Sequence, residues 1–520
     1  MNIECGFKKV DYVKKFFLCL FVLLIVGCGA AYFAVPPLVE NAVRQNLEQL
    51  PAVLNQPGRA NFSTPEIGKI DFEPLSRTLT IEKTILKGMV EDGKPGKIHM
   101  VCRIGEVQGT MPWRLLFLLG PIRNVVSEEY GFETVLSDFF GKDVSLSLAR
   151  DMVQVESAAE EISGKNIMLQ ANVLGSILDN LPLDSLDIIY GLGVDDFLLK
   201  GIGGNVALIN NSHIVTHKLG ALRISDWRGQ VAKNISITNL TLEEQTRKNI
   251  FSIEKIDLDT VTLPEMPLMV ALKNDIEGFH PVDSWDIFRQ IMKGKPIVSR
   301  SIINNLQIED YGLKSAIIDW FSNNPASWNI SLAGLTMPIR VLEEETGLNV
   351  AGLDKFDLNA DLAVEEGENS LLNHKGAFRS PGLGVLAYEF STPSTPTSAL
   401  TMMATKISGF RLDYADSGLV ARLASGIAPN AQAAMFALKI AAGHFCSQHS
   451  SQNEKLREAI EDFVEQPGNL VIWARKSFSM AEVGIQAYRG DLGSILGATA
   501  TPGAQSLEEA MKSLKRQANK

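Results

Sequence analysis

Residues 356–364 read Phe-Asp-Leu-Asn-Ala-Asp-Leu-Ala-Val, with an apolar side chain at every second position from Phe356 to Val364. The first three positions between them hold Asp357, Asn359 and Asp361. Because successive side chains of a β-strand point to opposite faces, this alternation predicts a strand with one apolar and one wetted face. Such strands are typical of an antiparallel sheet with one solvated side.

Shorter segments of the same kind lie on the N-terminal side of this stretch. They predict strands at residues 79–81, 256–258 and 330–332. A further alternating segment, residues 235–242, changes phase at Asn239. A change of phase inside a strand indicates a bulge or a bend.

A loose repeat links residues 237–243, 303–309 and 407–413. Each segment runs apolar, two small or polar residues, apolar, polar, apolar, acidic. The unequal intervals between the copies exclude a regular solenoid. Two interpretations stay open: similar strand pairs recurring in an extended sheet, or chance matches in a β-rich chain.

Helical spacing of apolar residues predicts helices at 38–50, 283–292, 314–323 and 430–445. Near the C-terminus, three further features favour helices separated by a short strand. They are a capping box at Ser451-Gln-Asn-Glu454, a strand at 469–473 and a final helix that opens at Ser506.

Residues 16–35 read FFLCLFVLLIVGCGAAYFAV and carry no charged side chain. A helix of about 20 apolar residues is long enough to cross a bilayer. Lys14 and Lys15 precede this segment, and the positive-inside rule then places the N-terminus in the cytoplasm. The segment therefore predicts a signal anchor and a single-pass bacterial inner-membrane protein with a periplasmic body. As an alternative, residues 25–28 resemble a lipobox, which predicts a lipoprotein anchored at Cys28 in the same compartment.

The patterns together predict an α+β fold class. They favour one N-terminal transmembrane helix, then an extended, mostly antiparallel β-sheet region with interspersed helices, and a helical C-terminal region. The predicted divisions are a basic cytoplasmic segment at 1–15, the transmembrane helix at 16–35, and β-rich regions at 36–150 and 151–420. A mostly helical region occupies 421–520.

Charge and cysteine usage limit the possible functions. The net charge is −11, and an acidic chain is a poor partner for nucleic acid, because phosphate binding needs clustered Lys and Arg. Of the five cysteines, only Cys102 and Cys446 lie beyond the N-terminal apolar run, which excludes a disulfide scaffold. These two either remain free thiols or pair with each other.

The chain contains near-matches to nucleotide-binding motifs. Residues 88–94 have the spacing of a phosphate loop, but Pro95 stands where that loop needs Ser or Thr. The glycines in 191–193 and 201–204 lack the dinucleotide-binding spacing and are interpreted as turns.

Metal and catalytic motifs are equally incomplete. His444, Cys446 and His449 are three potential zinc ligands, whereas a structural zinc site usually has four. The sequence has no HExxH or GxSxG motif. We therefore predict no catalytic residue, no cofactor and no metal ligand, and do not expect an enzyme.

Residues 67–81 read Ile-Gly-Lys-Ile-Asp-Phe-Glu-Pro-Leu-Ser-Arg-Thr-Leu-Thr-Ile, two strands joined by a proline turn. Together with the N-terminal apolar helix, Leu50-Pro51 and the segments 104–107 and 113–122, they resemble the opening of the AsmA-like family of bacterial envelope proteins. The resemblance covers about the first 125 residues, and the helical C-terminal region departs from the family's pattern.

This resemblance implies a long, curved β-sheet with an apolar groove, in a family linked to lipid transport or outer-membrane maintenance. The expected function is therefore a membrane-anchored periplasmic protein of the cell envelope that handles lipid. An anchored scaffold for other envelope proteins and a membrane-tethered hydrolase are the alternatives. The expected partners are the inner membrane through residues 16–35, phospholipid and other envelope proteins, but not nucleic acid.

Overall fold

The computed structural model describes the chain in separate stretches. They are residues 36–45, 47–48, 51, 60–90, 97–112, 131–150, 153–178, 185–208, 214–244, 251–264, 298–320, 327–346, 350, 352–367, 371–393, 403–446 and 450–518. The chain divides into two compact units. The first comprises Met1–Ile237, Glu243–Thr246 and Leu263–Val282, and the second comprises Thr238–Leu242, Arg247–Thr262 and Asp283–Lys520.

The first unit is built on long antiparallel strands. They are β1 (Ala60–Phe62), β2 (Glu66–Ile67), β3 (Ile70–Glu73), β4 (Thr78–Val90), β5 (Ile98–Thr110), β6 (Phe132–Arg150), β7 (Val153–Gln170), β8 (Leu192–Leu208), β9 (Ile214–Arg228) and β10 (Val231–Glu244), the last divided between the units. Its described helices are α1 (residues 36–45 and 47–48), α2 (Ala171–Leu178) and α3 (Ser185–Gly191). From β4 to β9 each strand pairs with the next one in the chain.

The second unit repeats this up-and-down order. Its strands are β11 (Phe251–Thr262), β12 (Val298–Ile308), β13 (Tyr311–Trp320), β14 (Trp328–Pro338), β15 (Lys355–Glu366), β16 (Leu372–Ser380), β17 (Gly384–Thr392), β18 (Lys406–Asp416), β19 (Asn469–Ala474), β20 (Phe478–Ser479) and β21 (Leu496–Thr501). Its helices are α4 (Ile339–Thr346), α5 (Leu419–Ile427), α6 (Ala431–Cys446), α7 (Ser451–Glu465), α8 (Met480–Arg489) and α9 (Leu507–Ala518). Strands β11 to β18 pair consecutively, and β19 and β21 extend the sheet beyond β18.

Helix α1 protects the open edge at the start of the first sheet. The short strands β1, β2 and β3 all pair with the same side of β4. The Glu40 carboxylate accepts a hydrogen bond of 3.2 Å from the backbone N–H of Phe72, and Arg44 donates one of 3.2 Å to the carbonyl of Gly68. Covering unpaired backbone groups in this way prevents the edge from pairing with another chain.

Several sequence predictions are confirmed. The strands at 79–81, 256–258, 330–332 and 356–364 all exist, within β4, β11, β14 and β15. The proline turn between β3 and β4 spans residues 74–77. The strand at 469–473 is β19. The predicted capping box at Ser451–Glu454 is wrong, because Ser450 caps α7 and accepts a hydrogen bond from the backbone N–H of Asn453.

The predicted helix at 314–323 is wrong, because residues up to Trp320 form strand β13. Helical and extended spacing are hard to tell apart in a short apolar segment. Pairing of β13 with β12 on one side and with β14 on the other decides the outcome. The predicted helix at 283–292 lies outside the described residues.

The predicted fold class, an α+β chain headed by a transmembrane helix, is wrong. The described residues form mostly antiparallel β-sheet, and β19, β20 and β21 extend it into the C-terminal region that was predicted to be helical. In the part of the chain that the structure describes, no helix is long and apolar enough to span a membrane. The longest described helix, α6, has 16 residues, or about 24 Å at 1.5 Å per residue, against the roughly 30 Å of a hydrocarbon core.

The predicted single-pass inner-membrane localisation is corrected on the same finding. Residues 16–35, which carried that prediction, and Cys28, which carried its lipoprotein alternative, lie outside the described residues.

Candidate functional site

One face of the second unit is apolar across eight strands. Directly paired residues of antiparallel strands project from the same face of a sheet, so the pairing register identifies each face. One row on this face is Ile256, Ile303, Ala316, Leu332, Ala360, Phe378, Leu386 and Tyr414. The next row is Leu258, Ser301, Ile318, Ile330, Leu362, Gly376, Tyr388 and Leu412.

The first unit has a comparable apolar face. One row across β4 to β9 is Thr84, Ile104, Val144, Ala159, Ile202 and Leu219. The next row is Leu86, Cys102, Leu146, Ser157, Gly204 and His217. We call these surfaces the apolar faces of the two units and the opposite surfaces their polar faces.

Residues with left-handed backbone interrupt strands in both units. In the first unit Lys83, Asp143 and Gly201 have φ of 50°, 53° and 62°. Asn166 of β7 and Asp226 of β9 have the same conformation, with φ of 48° and 49°. In the second unit Asn305 and Gly334 have φ of 49° and 62°. One residue out of the pleat shifts the alternation by one position, so apolar residues before and after it stay on one face.

The same feature explains the loose repeat of the sequence. Its third positions, Asn239, Asn305 and Gly409, all have positive φ and all lie inside strands. Asn239, where the change of phase predicted a bulge or a bend, has φ of 53° inside β10. The three segments therefore share a local backbone conformation, which favours the first of the two interpretations given above.

Helices cover parts of each apolar face. In the first unit Val39 of α1 and Leu174 of α2 pack with Leu79 and Phe72 in a buried cluster. In the second unit α5, α6, α7 and α9 pack over the end formed by β18, β19 and β21, where Tyr414 borders the cluster around Phe463. The described helices make their main strand contacts at β7, β14 and β19–β21.

Toward the hairpin ends of the strands the apolar faces keep part of their surface open, whereas Ala316 and Ala360 in the middle of the second unit's row are buried. In the first unit Leu146 is 36% exposed and Val153 is 38% exposed. In the second unit Ile308 is 43% and Tyr311 39% exposed. Ile308 and Tyr311 are directly paired, and adjacent exposed apolar side chains are a feature of interaction surfaces.

An imidazole and a hydroxyl face each other within the apolar face of the first unit. The Ser157 Oγ lies 2.7 Å from His217 Nε2, with Gly204 of β8 between the two strands. A Cβ at residue 204 would lie 2.8 Å from the His217 ring and 1.8 Å from the carbonyl oxygen of Glu156. Gly204 therefore permits this contact, and the glycines at 201, 203 and 204 lie inside a strand instead of in the predicted turn.

The apolar face of the second unit carries a similar pair within a set of stacked rings. His374 Nε2 lies 2.9 Å from the Thr392 hydroxyl, and the His374 ring stacks on Phe390 at 4.5 Å between centroids. The set continues with Tyr388 at 5.8 Å from Phe390 and Phe378 at 6.2 Å from Tyr388. Burial lowers the pKa of His374 and raises the pKa of Tyr388, because the apolar surroundings disfavour the charged form of each.

The polar face of the second unit carries ion pairs within one strand and between neighbouring strands. Arg411 binds Asp413 through two hydrogen bonds of 2.8 and 3.0 Å. Asp361 accepts a hydrogen bond of 2.7 Å from Ser331 and pairs with Arg379. The Ser331 hydroxyl and the Arg379 guanidinium lower the pKa of the Asp361 carboxyl. The two faces of one sheet thus differ sharply in chemistry.

The near-motifs of the sequence do not form sites in the described part of the chain. Gly88 lies inside β4, and residues 91–96 of the apparent phosphate loop are outside the described residues. His444 and Cys446 lie in α6, while His449 is not described. Among the described residues no group of three His, Cys, Asp or Glu side chains could hold a metal ion.

Two further sequence candidates have simple structural settings. Cys102 and Cys446 are both free thiols, one half-buried and one buried, and burial raises the pKa of each.

Ser157 and His217 are brought together only by the pairing of β7, β8 and β9, so no sequence motif could have identified them. Within the described residues His217 has no carboxylate partner, which a Ser–His–Asp triad would require.

The candidate site is therefore the pair of apolar faces, one in each unit. A comparison of the chain with protein-family models, curated proteins and solved structures finds no match.

Proposed function

We propose that the chain binds lipid, holding hydrocarbon against the apolar faces of its units. The observation that carries this proposal is the apolar row from Ile256 to Tyr414, which crosses eight strands and is only partly covered by helices. Burial of one CH₂ group contributes about 0.8 kcal/mol, so about ten methylenes contribute roughly 8 kcal/mol before the cost of immobilisation. That is about the free energy of micromolar binding.

The resemblance of residues 67–81 to the AsmA-like family supports the same proposal, because that family is linked to lipid movement. The stacked rings around Phe390 add a rigid section to the apolar face. The His–hydroxyl pairs offer hydrogen-bonding groups to the polar part of an amphipathic ligand without placing a fixed charge among apolar side chains.

Two adjacent isoleucines of β13 allow a matched test. Ile318 belongs to the apolar face, because it pairs with Ser301 and Ile330, whereas Ile317 lies on the polar face beside Ser331. A fluorescent phospholipid is titrated into wild type, Ile318→Glu and Ile317→Glu. We expect Ile318→Glu to weaken binding at least tenfold, and Ile317→Glu to bind as wild type. Equal binding by both variants, with circular dichroism spectra like that of wild type, would reject the proposal.

A scaffold that binds other proteins is a second candidate, favoured by apolar residues on the C-terminal helices. Phe436 and Ile440, one turn apart on α6, are 68% and 56% exposed. On α8, Tyr488 is 94% and Ile485 49% exposed. If this surface binds protein, a Phe436→Ser and Ile440→Ser double variant loses copurifying partners while its phospholipid titration stays unchanged.

A further inference from the structure

The polar face of the second unit contains an open groove of about 620 Å³. It runs across β13 to β18, and its floor consists of small or aliphatic side chains contributed by neighbouring strands. They are Ile317, Ala363, Ala377 and Ala387. Alanines at paired positions on β16 and β17 leave a depression where longer side chains would otherwise stand. This groove lies on the opposite side of the sheet from the proposed lipid surface.

The size of the groove indicates the shape of its occupant. Neighbouring strands lie about 4.8 Å apart, so the five spacings from β13 to β18 span roughly 24 Å. The volume divided by this length gives a mean cross-section of about 26 Å², so the groove is long and narrow and has room for a single chain. A volume of this size also lies within the range of about 300–1,000 Å³ found for ligand pockets.

The rim supplies both donors and acceptors of hydrogen bonds. Asp361 and Asp413 are already paired with arginines, which fixes their positions and leaves further lone pairs for a ligand. Lys375 and Glu389 are paired in register on β16 and β17. Within the described part of the chain the Lys375 ammonium has neither an ion-pair nor a hydrogen-bond partner. Interspersed positive and negative groups give no strong preference for a charged ligand.

Asn329 lies on β14, beside Asp319 at the β13 end of the groove. Its Oδ1 is shielded from solvent and accepts no hydrogen bond from the described residues. An unpaired buried acceptor costs about 1–3 kcal/mol, so a ligand donor that reached it by displacing the exposed rim side chains would gain that free energy. At the opposite end the groove is bounded by Arg411 and Asp413 of β18.

We propose that this groove binds a neutral, hydroxyl-rich oligosaccharide lying across β13 to β18. A hydroxyl group donates to carboxylate and amide oxygens and accepts from an ammonium, so it matches every group on the rim. The methyl groups of the alanine floor contact the C–H faces of the sugar rings. The backbone N–H and C=O groups of these strands are used in the sheet, which disfavours recognition of an extended peptide by strand addition.

The test is isothermal titration calorimetry of the full chain with maltohexaose, cellohexaose and chitohexaose. We expect saturable binding of at least one of them. Ala377→Trp fills the floor and is expected to weaken that binding at least tenfold, and Asn329→Leu is expected to weaken it several-fold. Ala221→Trp, at a half-buried alanine on the polar face of β9 in the other unit, is the matched control and is expected to bind as wild type.

Three results would overturn the proposal. One is no saturable heat with any of the three sugars, and another is wild-type affinity in Ala377→Trp. The third is binding of an alternating Lys–Ser hexapeptide that Ala377→Trp abolishes while no sugar binds, which would assign the groove to a peptide. None of these results bears on lipid binding, because the phospholipid titration of Ile318→Glu probes the other face.

Discussion

Single glycines decide whether neighbouring strands can approach each other, and Gly204 is the clearest case. A Cβ at this position would lie 1.8 Å from the backbone oxygen of Glu156, whereas a Cβ at Gly203 would meet nothing closer than 3.9 Å. The sequence predicted a turn for both glycines, because a Gly-rich segment usually forms a turn. The side chain that requires a glycine at residue 204, His217, comes from another strand, so the local sequence does not indicate it.

Gly204→Ala is therefore expected to lower the thermal unfolding midpoint, since the β7–β8 backbone must move and the Ser157–His217 contact is lost. We expect a destabilisation of about 1–3 kcal/mol. Gly203→Ala is the control and is expected to change the midpoint by much less. Equal midpoints for the two variants in differential scanning calorimetry would contradict this account.

His374 makes stability depend on pH. Burial lowers its pKa in the folded chain below the ordinary value of about 6.5, so the unfolded chain binds a proton more readily. Above about pH 6.5 His374 is neutral in both the folded and the unfolded chain and does not oppose folding. As the pH drops below about 6.5 toward the lowered folded pKa, the unfolded chain takes up a proton first, and the free energy of unfolding falls. His374→Gln should therefore flatten the decline of the unfolding midpoint between about pH 7 and pH 5.

The control for this experiment is His99→Gln, at an exposed imidazole on the polar face of β5. It is expected to retain the wild-type dependence on pH. A decline in His374→Gln as steep as in wild type would show that the stacked His374 ring does not contribute.

At the scale of elements, alternation in the sequence predicted the strands whose two faces differ most. Residues 356–364 of β15 place Asp357 and Asp361 on the polar side and Leu362 on the apolar side, so their pattern was clear. Residues 314–320 were misassigned to a helix, because Ile317 and Ile318 are adjacent apolar residues on opposite faces and leave no clear period. Pairing with two neighbouring strands, which a local pattern does not contain, made this segment β13.

The left-handed residues within the strands offer a test that can raise stability. Thr260 in β11 has φ of 48°, a conformation that is costly for a β-branched residue. Thr260→Gly is expected to raise the unfolding midpoint, by about 1 kcal/mol of free energy, because glycine adopts this conformation without a Cβ clash. Thr262→Gly, two residues later in the same strand, removes a residue of ordinary conformation and is expected to lower the midpoint.

If both substitutions lowered the midpoint equally, the left-handed residue of β11 would not be strained. One of the left-handed residues was visible in the sequence, since the alternation changes phase at Asn239. Lys83 and Asp143 gave no such signal, because neither residue type is specific for positive φ in the way that glycine is.

At the scale of the whole molecule, the sequence indicated that an apolar face exists but not what covers it. Alternating apolar residues occur both in a sealed core and on an open sheet face, and only the positions of the helices distinguish the two. Helices cover the apolar face of the first unit around Val39 and that of the second unit around Phe463, and they leave Leu146 and Ile308 partly exposed. The N-terminal apolar segment, residues 16–35, carried much of the sequence prediction and lies outside the described residues, among which no helix is long and apolar enough to span a membrane.

The proposed lipid binding is tested most directly by native mass spectrometry of the full chain, purified gently and then incubated with phospholipid. We expect peaks above the protein mass by whole phospholipid masses, which disappear in the Leu146→Glu and Ile318→Glu double variant. Only the unliganded mass, or lipid adducts equally abundant in the double variant, would contradict a lipid-binding role for the apolar faces.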